Sequence, residues 1–470
     1  MRRAYVALLA LCLGLFTALA TAGPAQAAPR TITNGTQFTD TSGNPVHAHG
    51  GGVLKVGTYY YWFGEHRNAD NTFRYVDAYR STDLKNWEFR NHVLTEASDP
   101  ELATANIERP KVVYNASTGT FVMWMHKENG TDYSEARAAV AVSDTVDGNY
   151  TWKGSFRPLG QHMSRDITVF TDTDGAGYMI SAARENYDLQ IYRLTADYTG
   201  IASLVANPWP GGHREAPALF KRNGVYFMLT SGATGWNPNQ QQYATATNIA
   251  GPWSAMKNIG DSTTYGSQTA FVLPVQGSSG TSYLYLGDRW GNSFGGTVND
   301  SRYVWLPLTF SGSTTMSMSW SPEVTVDTAA GTVTGTGATY NTLIARHSSK
   351  CADVTSQSLW AGAQLKQYDC NGGANQKYWF KSVGSGYYQL MVRNSSLCVQ
   401  ENASTVTQEN CVSSATSQQW SLTTTGSYVN VKSRASGECL DVNGASTANG
   451  AALITYTCNG GTNQQWTRGT

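Results

Sequence analysis

Helical periodicity is nearly absent from this chain. Charge is scarce too: only 14% of residues are Asp, Glu, Lys or Arg, and 33 basic side chains balance 33 acidic ones. That balance excludes the basic stripe of a nucleic-acid binder and the polybasic segment of an anionic-membrane binder. Beyond the N-terminus no apolar run is long enough to cross a bilayer. Cysteine is missing between Cys12 and Cys351, so no disulfide framework is expected over that span. What is abundant is Gly (47 residues), Tyr (26) and Trp (14). Short aromatic runs broken by turn residues, such as Gly57-Thr-Tyr-Tyr-Tyr-Trp-Phe63, read as strands and hairpins. The composition suits an all-β protein that handles neutral ligands.

The first residues read as an export signal. Arg2 and Arg3 precede an apolar run from Val6 to Ala20, and Ala25-Gln26-Ala27 is a small-x-small cleavage site. Residues 1–27 are therefore expected to be removed, with Cys12 among them, and the protein is expected to be secreted. Six cysteines then remain: Cys351, Cys370, Cys398, Cys411, Cys439 and Cys458. An even set in an exported chain implies disulfides. About 440 mature residues exceed one ordinary domain.

One pattern recurs five times: a polar or small leading residue, an apolar strand, a Gly-containing turn, then an aromatic-rich strand. The copies begin at His49-Gly-Gly-Gly-Val-Leu, Glu108-Arg-Pro-Lys-Val-Val, Asp166-Ile-Thr-Val-Phe, Glu215-Ala-Pro-Ala-Leu-Phe and Gln268-Thr-Ala-Phe-Val-Leu, spaced by 59, 58, 49 and 53 residues. Such spacing fits four strands plus loops, which predicts a five-bladed β-propeller over 28–328. In a propeller the innermost strand of each blade starts near the axis. His49, Glu108, Asp166, Glu215 and Gln268 should then converge on one face. Crowded carboxylates push their pKa values apart, which keeps a proton donor protonated near neutral pH. Asp172 and Asp174, just before Gly175, read as turn formers. Trp87, Trp152 and Trp253 read as blade packing.

Residues 329–339 are rich in Gly, Thr and Ala and read as a linker. Over 340–470 a second repeat has three copies: Cys351-Ala-Asp353 to Gln376-Lys-Tyr-Trp379, Cys398-Val-Gln400 to Gln418-Gln-Trp420, and Cys439-Leu-Asp441 to Gln464-Gln-Trp466. Three units of this kind predict a β-trefoil, each Trp facing the shared core. The repeat selects consecutive cysteine partners, 19, 13 and 19 residues apart. Lobes one and three each offer a carboxylate and an aromatic face for a sugar: Asp353, Tyr368 and Asn375 in one, Asp441, Tyr456 and Asn463 in the other. Lobe two has Gln400 and Glu409 in place of Asp and Tyr, and no sugar site is expected there.

The second segment resembles the ricin-B lectin family, carbohydrate-binding module family 13, through its three cysteine pairs in register with three Gln/Trp endings. The first resembles glycoside hydrolase family 43. That resemblance implies Glu215, in Glu215-Ala-Pro217, as general acid and Asp166 as the residue that tunes it. The family's usual general-base Asp in blade one is missing from Val46-His-Ala-His-Gly-Gly-Gly52. Ala48-His-Gly-Gly-Gly52, Trp62-Phe-Gly-Glu65, Ile107-Glu-Arg-Pro110 and Ser267-Gln-Thr269 resemble the exo-β-1,3-galactanase branch, whose members lack that base. There a Gln in the position of Gln268 is implicated in holding, and deprotonating, the attacking water.

The expected function is inverting release of galactose from the non-reducing end of β-1,3-galactan, as in arabinogalactans. An arabinofuranosidase, a β-xylosidase or a non-catalytic lectin are the alternatives. Glu108 and Asp166 are assigned to sugar hydroxyls and to raising the acid's pKa. Glu65 is assigned to the terminal sugar, Tyr133 and Trp236 to the pocket wall, and His49 to the substrate-binding ring. Inverting chemistry places the acid and the water-directing group about 6.5–9.5 Å apart. No cofactor is implied, no metal site follows from the spacing, and a monomer acting on a polysaccharide is expected.

Overall fold

The computed structural model describes residues 28–469. The export signal expected over 1–27 lies outside them. Five four-stranded antiparallel sheets follow one another along the chain, each in simple meander order. The first comprises His49–Val56, Tyr59–Arg67, Phe73–Ser81 and Glu88–Thr95. The second begins with Asn106–Asn115, the third with Ile167–Thr171, the fourth with Arg214–Arg222 and the fifth with Gln268–Gly277. These innermost strands neighbour one another in order, and the fifth returns to the first. Alternate strand residues fill apolar layers between adjacent blades. One layer joins Met123 and Met125 of blade two to Phe63 and Val76 of blade one, and another joins Trp124 of blade two to Val169 and Tyr192 of blade three.

The expectation of five blades needs correction, because the propeller has six sheets. The sixth is three-stranded, Arg30–Thr33, Glu323–Asp327 and Thr332–Gly335, built from both ends of the region. It covers the seam between blades five and one, where Ile32, Val324 and Val326 pack with Trp62, Trp87 and Trp305. Asn34 locks the seam: its side chain donates to Trp305 O at 2.7 Å and accepts from Trp305 N at 2.6 Å. The linker expectation fails in part for the same reason, since Thr332–Gly335 is a strand of this sheet.

A local device turns the leading residues toward the axis. The ladder is irregular just after His49, Glu108 and Glu215, and one residue later in blade five, between Thr269 and Phe271. Each of the first three is followed by a residue at positive φ: Gly50 at 60°, Arg109 at 51° and Ala216 at 50°. A β-bulge of this kind re-aims side chains next to it. At Gly50 a side chain would also collide with the Glu65 carboxylate. Arg109 and Ala216 adopt the same backbone at a cost of about 1–2 kcal/mol each.

In the C-terminal region the strand pairings close on themselves as a barrel. Tyr340–Ala345 pairs Tyr378–Gly384, then Tyr387–Val392, Trp420–Thr425, Tyr428–Ser433 and Trp466–Gly469, which returns to Tyr340–Ala345. Three hairpins cap it, each clipped by a disulfide: Cys351–Cys370, Cys398–Cys411 and Cys439–Cys458. In the chain-entropy view each clip is worth about 3 kcal/mol. The fully buried aromatic residues in the shared core are Tyr378, Trp420 and Trp466, with Phe380 packed among them. Tyr378, not Trp379, is thus the core residue of the first copy: it stands two after Gln376, as Trp420 stands two after Gln418.

Candidate active site

Glu65, Glu108, Tyr133, Asp166, Glu215, Trp236 and Gln268 all line one cavity of about 340 Å³ at one end of the propeller axis. His49 does not. It is fully buried behind the wall, where its ring stacks on Tyr303 at 4.7 Å and its Nδ1 lies 3.1 Å from Asp288 Oδ1. A core role therefore replaces the expected substrate contact. Lys111 is buried next to Arg109, its Nζ donating to Gly50 O at 2.5 Å and to Arg109 O at 3.3 Å. A separate, more apolar cavity opens beyond it at the other end of the axis.

Arg109 organises the ring, and sequence reasoning did not single it out. Its Nε lies 2.7 Å from Asp166 Oδ1, its Nη1 donates to Thr269 O at 2.9 Å, and its Nη2 donates to Gln268 Oε1 at 2.6 Å. Its backbone N–H donates to Glu65 Oε1 at 2.9 Å. The bulge amides of other blades do likewise: Gly50 N donates to Asp288 Oδ2 at 2.8 Å, and Ala216 N to Asp166 Oδ2 at 3.0 Å. These three bulges thus tie blades one, two and four to carboxylates Asp288, Glu65 and Asp166.

Glu215 sits among amides. Gln268 Nε2 donates to its Oε1 at 3.0 Å and Asn186 Nδ2 to its Oε2 at 2.9 Å. Burial, then the Asp166 charge, push its pKa up to about 8, against the weaker opposing pull of Arg109. Glu108 is shifted the other way. Burial alone would raise it, but Arg67 Nη2 at 2.7 Å and His126 Nδ1 at 3.2 Å hold it well below the usual carboxylate range. The Tyr133 hydroxyl donates to Glu108 Oε1 at 2.7 Å. His126 is raised to about 9: its two glutamate partners, Glu108 and Glu128, overcome its burial. Glu65 shares Arg67 at 2.8 Å yet is shifted upward, by burial and by the neighbouring Glu108. One cavity thus holds a carboxyl kept protonated at neutral pH and a carboxylate kept ionised.

Gln268 departs from expectation. It touches Glu215 directly instead of standing across a sugar from it. All four hydrogen-bonding positions of its amide are used: Oε1 accepts from Arg109 Nη2 and from Trp290 Nε1 at 2.7 Å, and Nε2 donates to Glu215 and to Ser231 Oγ at 2.9 Å. Trp290 also meets Trp236 edge-on at 5.1 Å. Trp290, Asn186, His126 and Arg67 complete the site. None of them lies in a repeated motif, so only the folded ring reveals them.

The family model for glycosyl hydrolases family 43 matches residues 44–285. The chain belongs to that family. A second model, the ricin-type beta-trefoil lectin domain, matches residues 339–466. Among solved structures, this family 43 chain is similar to an exo-β-1,3-galactanase from Clostridium thermocellum, with 48% identity, coverage of 93% of this chain and 99% of that one, and a TM-score of 0.66. It is similar to an exo-β-1,3-galactanase from Phanerochaete chrysosporium with β-1,3-galactotriose, at 34% identity, 75% and 78% coverage, and a TM-score of 0.63. A family 43 β-1,3-galactosidase with galactodeoxynojirimycin is 35% identical over 62% of this chain and 98% of that one, with a TM-score of 0.57. A curated relative, the β-agarase AgaB34 of Agarivorans albus, is 36% identical over 59 residues, and the match spans 13% of that protein's length. The chain is a glycoside hydrolase with an exo-β-1,3-galactanase-like propeller and a ricin-type lectin module.

In the lectin module, Asp353 Oδ2 accepts from Asn375 at 2.9 Å and Gln376 at 2.8 Å, and Asp441 Oδ2 accepts from Asn463 and Gln464 at the same distances. Tyr368 and Tyr456 stand exposed beside them. In lobe two, Gln400 Oε1 accepts from Gln418 at 2.9 Å and no aromatic ring occupies the corresponding place.

Removing one partner of a buried ion pair strands the other and costs about 3–5 kcal/mol. Arg109→Met should therefore lower the stability of the full chain by that order, measured as the shift of its urea unfolding transition. A stability equal to wild type would show that the hub is dispensable.

Proposed function

We propose that this protein is a secreted exo-β-1,3-galactanase that removes galactose from the non-reducing end of β-1,3-galactan, the backbone of arabinogalactans. Two features of the chain support secretion: the signal-like N-terminus and the disulfides. The observation that carries the catalytic reading is Glu215: a buried carboxyl with pKa pushed up to about 8, in a cavity that it lines with Asp166 and Gln268. The similarity to exo-β-1,3-galactanases supports the substrate.

In this reading Glu215 protonates the leaving glycosidic oxygen. Asp166 raises its pKa, and Glu108 and Glu65, held by Arg67, accept hydrogen bonds from sugar hydroxyls. Tyr133 and Trp236 form the wall. Gln268 holds the acid's carboxyl, and it directs a water for inverting attack only by giving up one of its four hydrogen bonds. The lectin module binds the same polymer through Asp353 with Tyr368 and Asp441 with Tyr456, two weak sites adding avidity. The mature enzyme is proposed to begin near Ala28 and to act as a monomer.

Incubation with β-1,3-galactan, arabinoxylan and aryl glycosides should release galactose from the first alone, and Glu215→Gln should lower kcat by about 10²–10⁴-fold. Arabinose or xylose as the product would overturn the substrate assignment.

A general acid loses activity as pH rises through its pKa. Asp166→Asn removes a charge that raises Glu215, so the alkaline limb of kcat/KM should move to lower pH. An unmoved limb would separate Glu215 from that limb.

Asp353→Ala with Asp441→Ala should weaken retention of the full chain on insoluble galactan by about tenfold or more, with activity on soluble oligosaccharides unchanged. Retention equal to wild type would remove both sites.

A further inference from the structure

We propose that the first blade carries a site for a divalent transition-metal ion, formed by His66, Asp77 and His92. The three residues lie on consecutive strands, Tyr59–Arg67, Phe73–Ser81 and Glu88–Thr95, with Asp77 directly opposite His92. Both imidazoles present Nδ1 to the same carboxylate: His66 at 2.9 Å from Oδ2 and His92 at 2.5 Å from Oδ1. The ligand atoms all fall within 4.8 Å of one another. In sequence they are separated by 11 and 15 residues, which matches no metal-binding spacing, and strand pairing alone gathers them. The site revises the expectation that the chain has no metal site.

Charge balance points to a cation. The Asp77 side chain is 2% exposed, and both of its ion-pair partners among the described residues are histidines. The Tyr79 hydroxyl at 3.4 Å adds one long hydrogen bond. No Lys or Arg among the described residues forms an ion pair with this carboxylate, so its buried charge is met by imidazoles alone. A third imidazole, His47, stacks on His66 at 4.2 Å, and its Nδ1 is buried without a hydrogen-bond partner. Two imidazole nitrogens with a carboxylate favour Zn²⁺, Co²⁺ or Ni²⁺ over Ca²⁺ or Mg²⁺. The other such grouping, Glu108, His126 and Asp166, lies in the cavity. Its carboxylates are already taken by Arg67 and Arg109, which repel a cation. An ion at His66 would brace the strand that carries Glu65 and Arg67 on either side of it.

The test uses the full chain, stripped with EDTA and titrated with ZnCl₂ by calorimetry at about pH 7.5, where free histidine is neutral. One saturable ion per chain is expected, with a rise in melting temperature. His92→Ala, at a partly exposed position, should fold normally, keep wild-type galactose release, and bind Zn²⁺ more than about tenfold more weakly. His66→Ala should do the same to binding. Three results would each overturn the proposal: no saturable binding to the wild type, binding unchanged in His92→Ala, or binding that survives His92→Ala and disappears in His126→Ala.

Discussion

The ring depends on a single buried cation. Arg109 belongs to blade two, yet its guanidinium reaches Asp166 before blade three and Gln268 and Thr269 of blade five, and its amide reaches Glu65 of blade one. Asp166 in turn accepts from Ala216 of blade four. The five four-stranded blades are therefore joined at the axis through one residue and its direct partner. Desolvating a guanidinium is costly, and the cost is met only where the geometry satisfies its donors and counter-charges stand close. Here Asp166 is in contact, with Glu65 and Glu215 nearby. The same network that closes the ring thus brings acidic residues together.

Crowding them does not make them alike. Glu108 has two cationic neighbours in contact, Arg67 and the imidazole of His126, and stays ionised. Glu215 has none in contact; its partners are the neutral amides of Gln268 and Asn186, and the charge beside it is the negative one of Asp166. Partner type, more than depth of burial, decides which carboxyl keeps its proton, since both are largely enclosed. Removing water from the cavity when a sugar enters strengthens both effects.

Much of this was legible in the sequence, and the failures have physical causes. Repeats with a polar leading residue located Glu108, Asp166, Glu215 and Gln268, because a propeller's axis gathers equivalent positions. His49 occupies the same place in its repeat, but Asp288 and Tyr303, which hold it behind the wall, belong to blade five and are invisible locally. The sixth sheet escaped notice because its strands come from chain segments some 290 residues apart, Thr31 pairing with Thr325, and neither carries the aromatic second strand of the repeat. Thr332–Gly335 read as linker because small polar residues mark both loops and edge strands. Trp379 was favoured over Tyr378 by residue type, whereas register relative to Gln376 decides which ring enters the core. Arg109 stands inside the Ile107-Glu-Arg-Pro110 motif, but a hub is defined by partners that are 44 to 160 residues away.

Gln268 shows how far a ring of this kind constrains chemistry. An amide can act as a base only by shifting a proton onto its oxygen and freeing its nitrogen. Its oxygen faces two N–H donors, Arg109 and Trp290, and has no room for a proton of its own. Its nitrogen already supplies both hydrogens, to Glu215 and Ser231. The site in this form favours the ordinary amide, fixed in one orientation, and so fixes the acid beside it. Any base-like role must begin with substrate breaking one of these four bonds. The sugar would then create the water-directing group as it binds, while the acid stays poised in its absence.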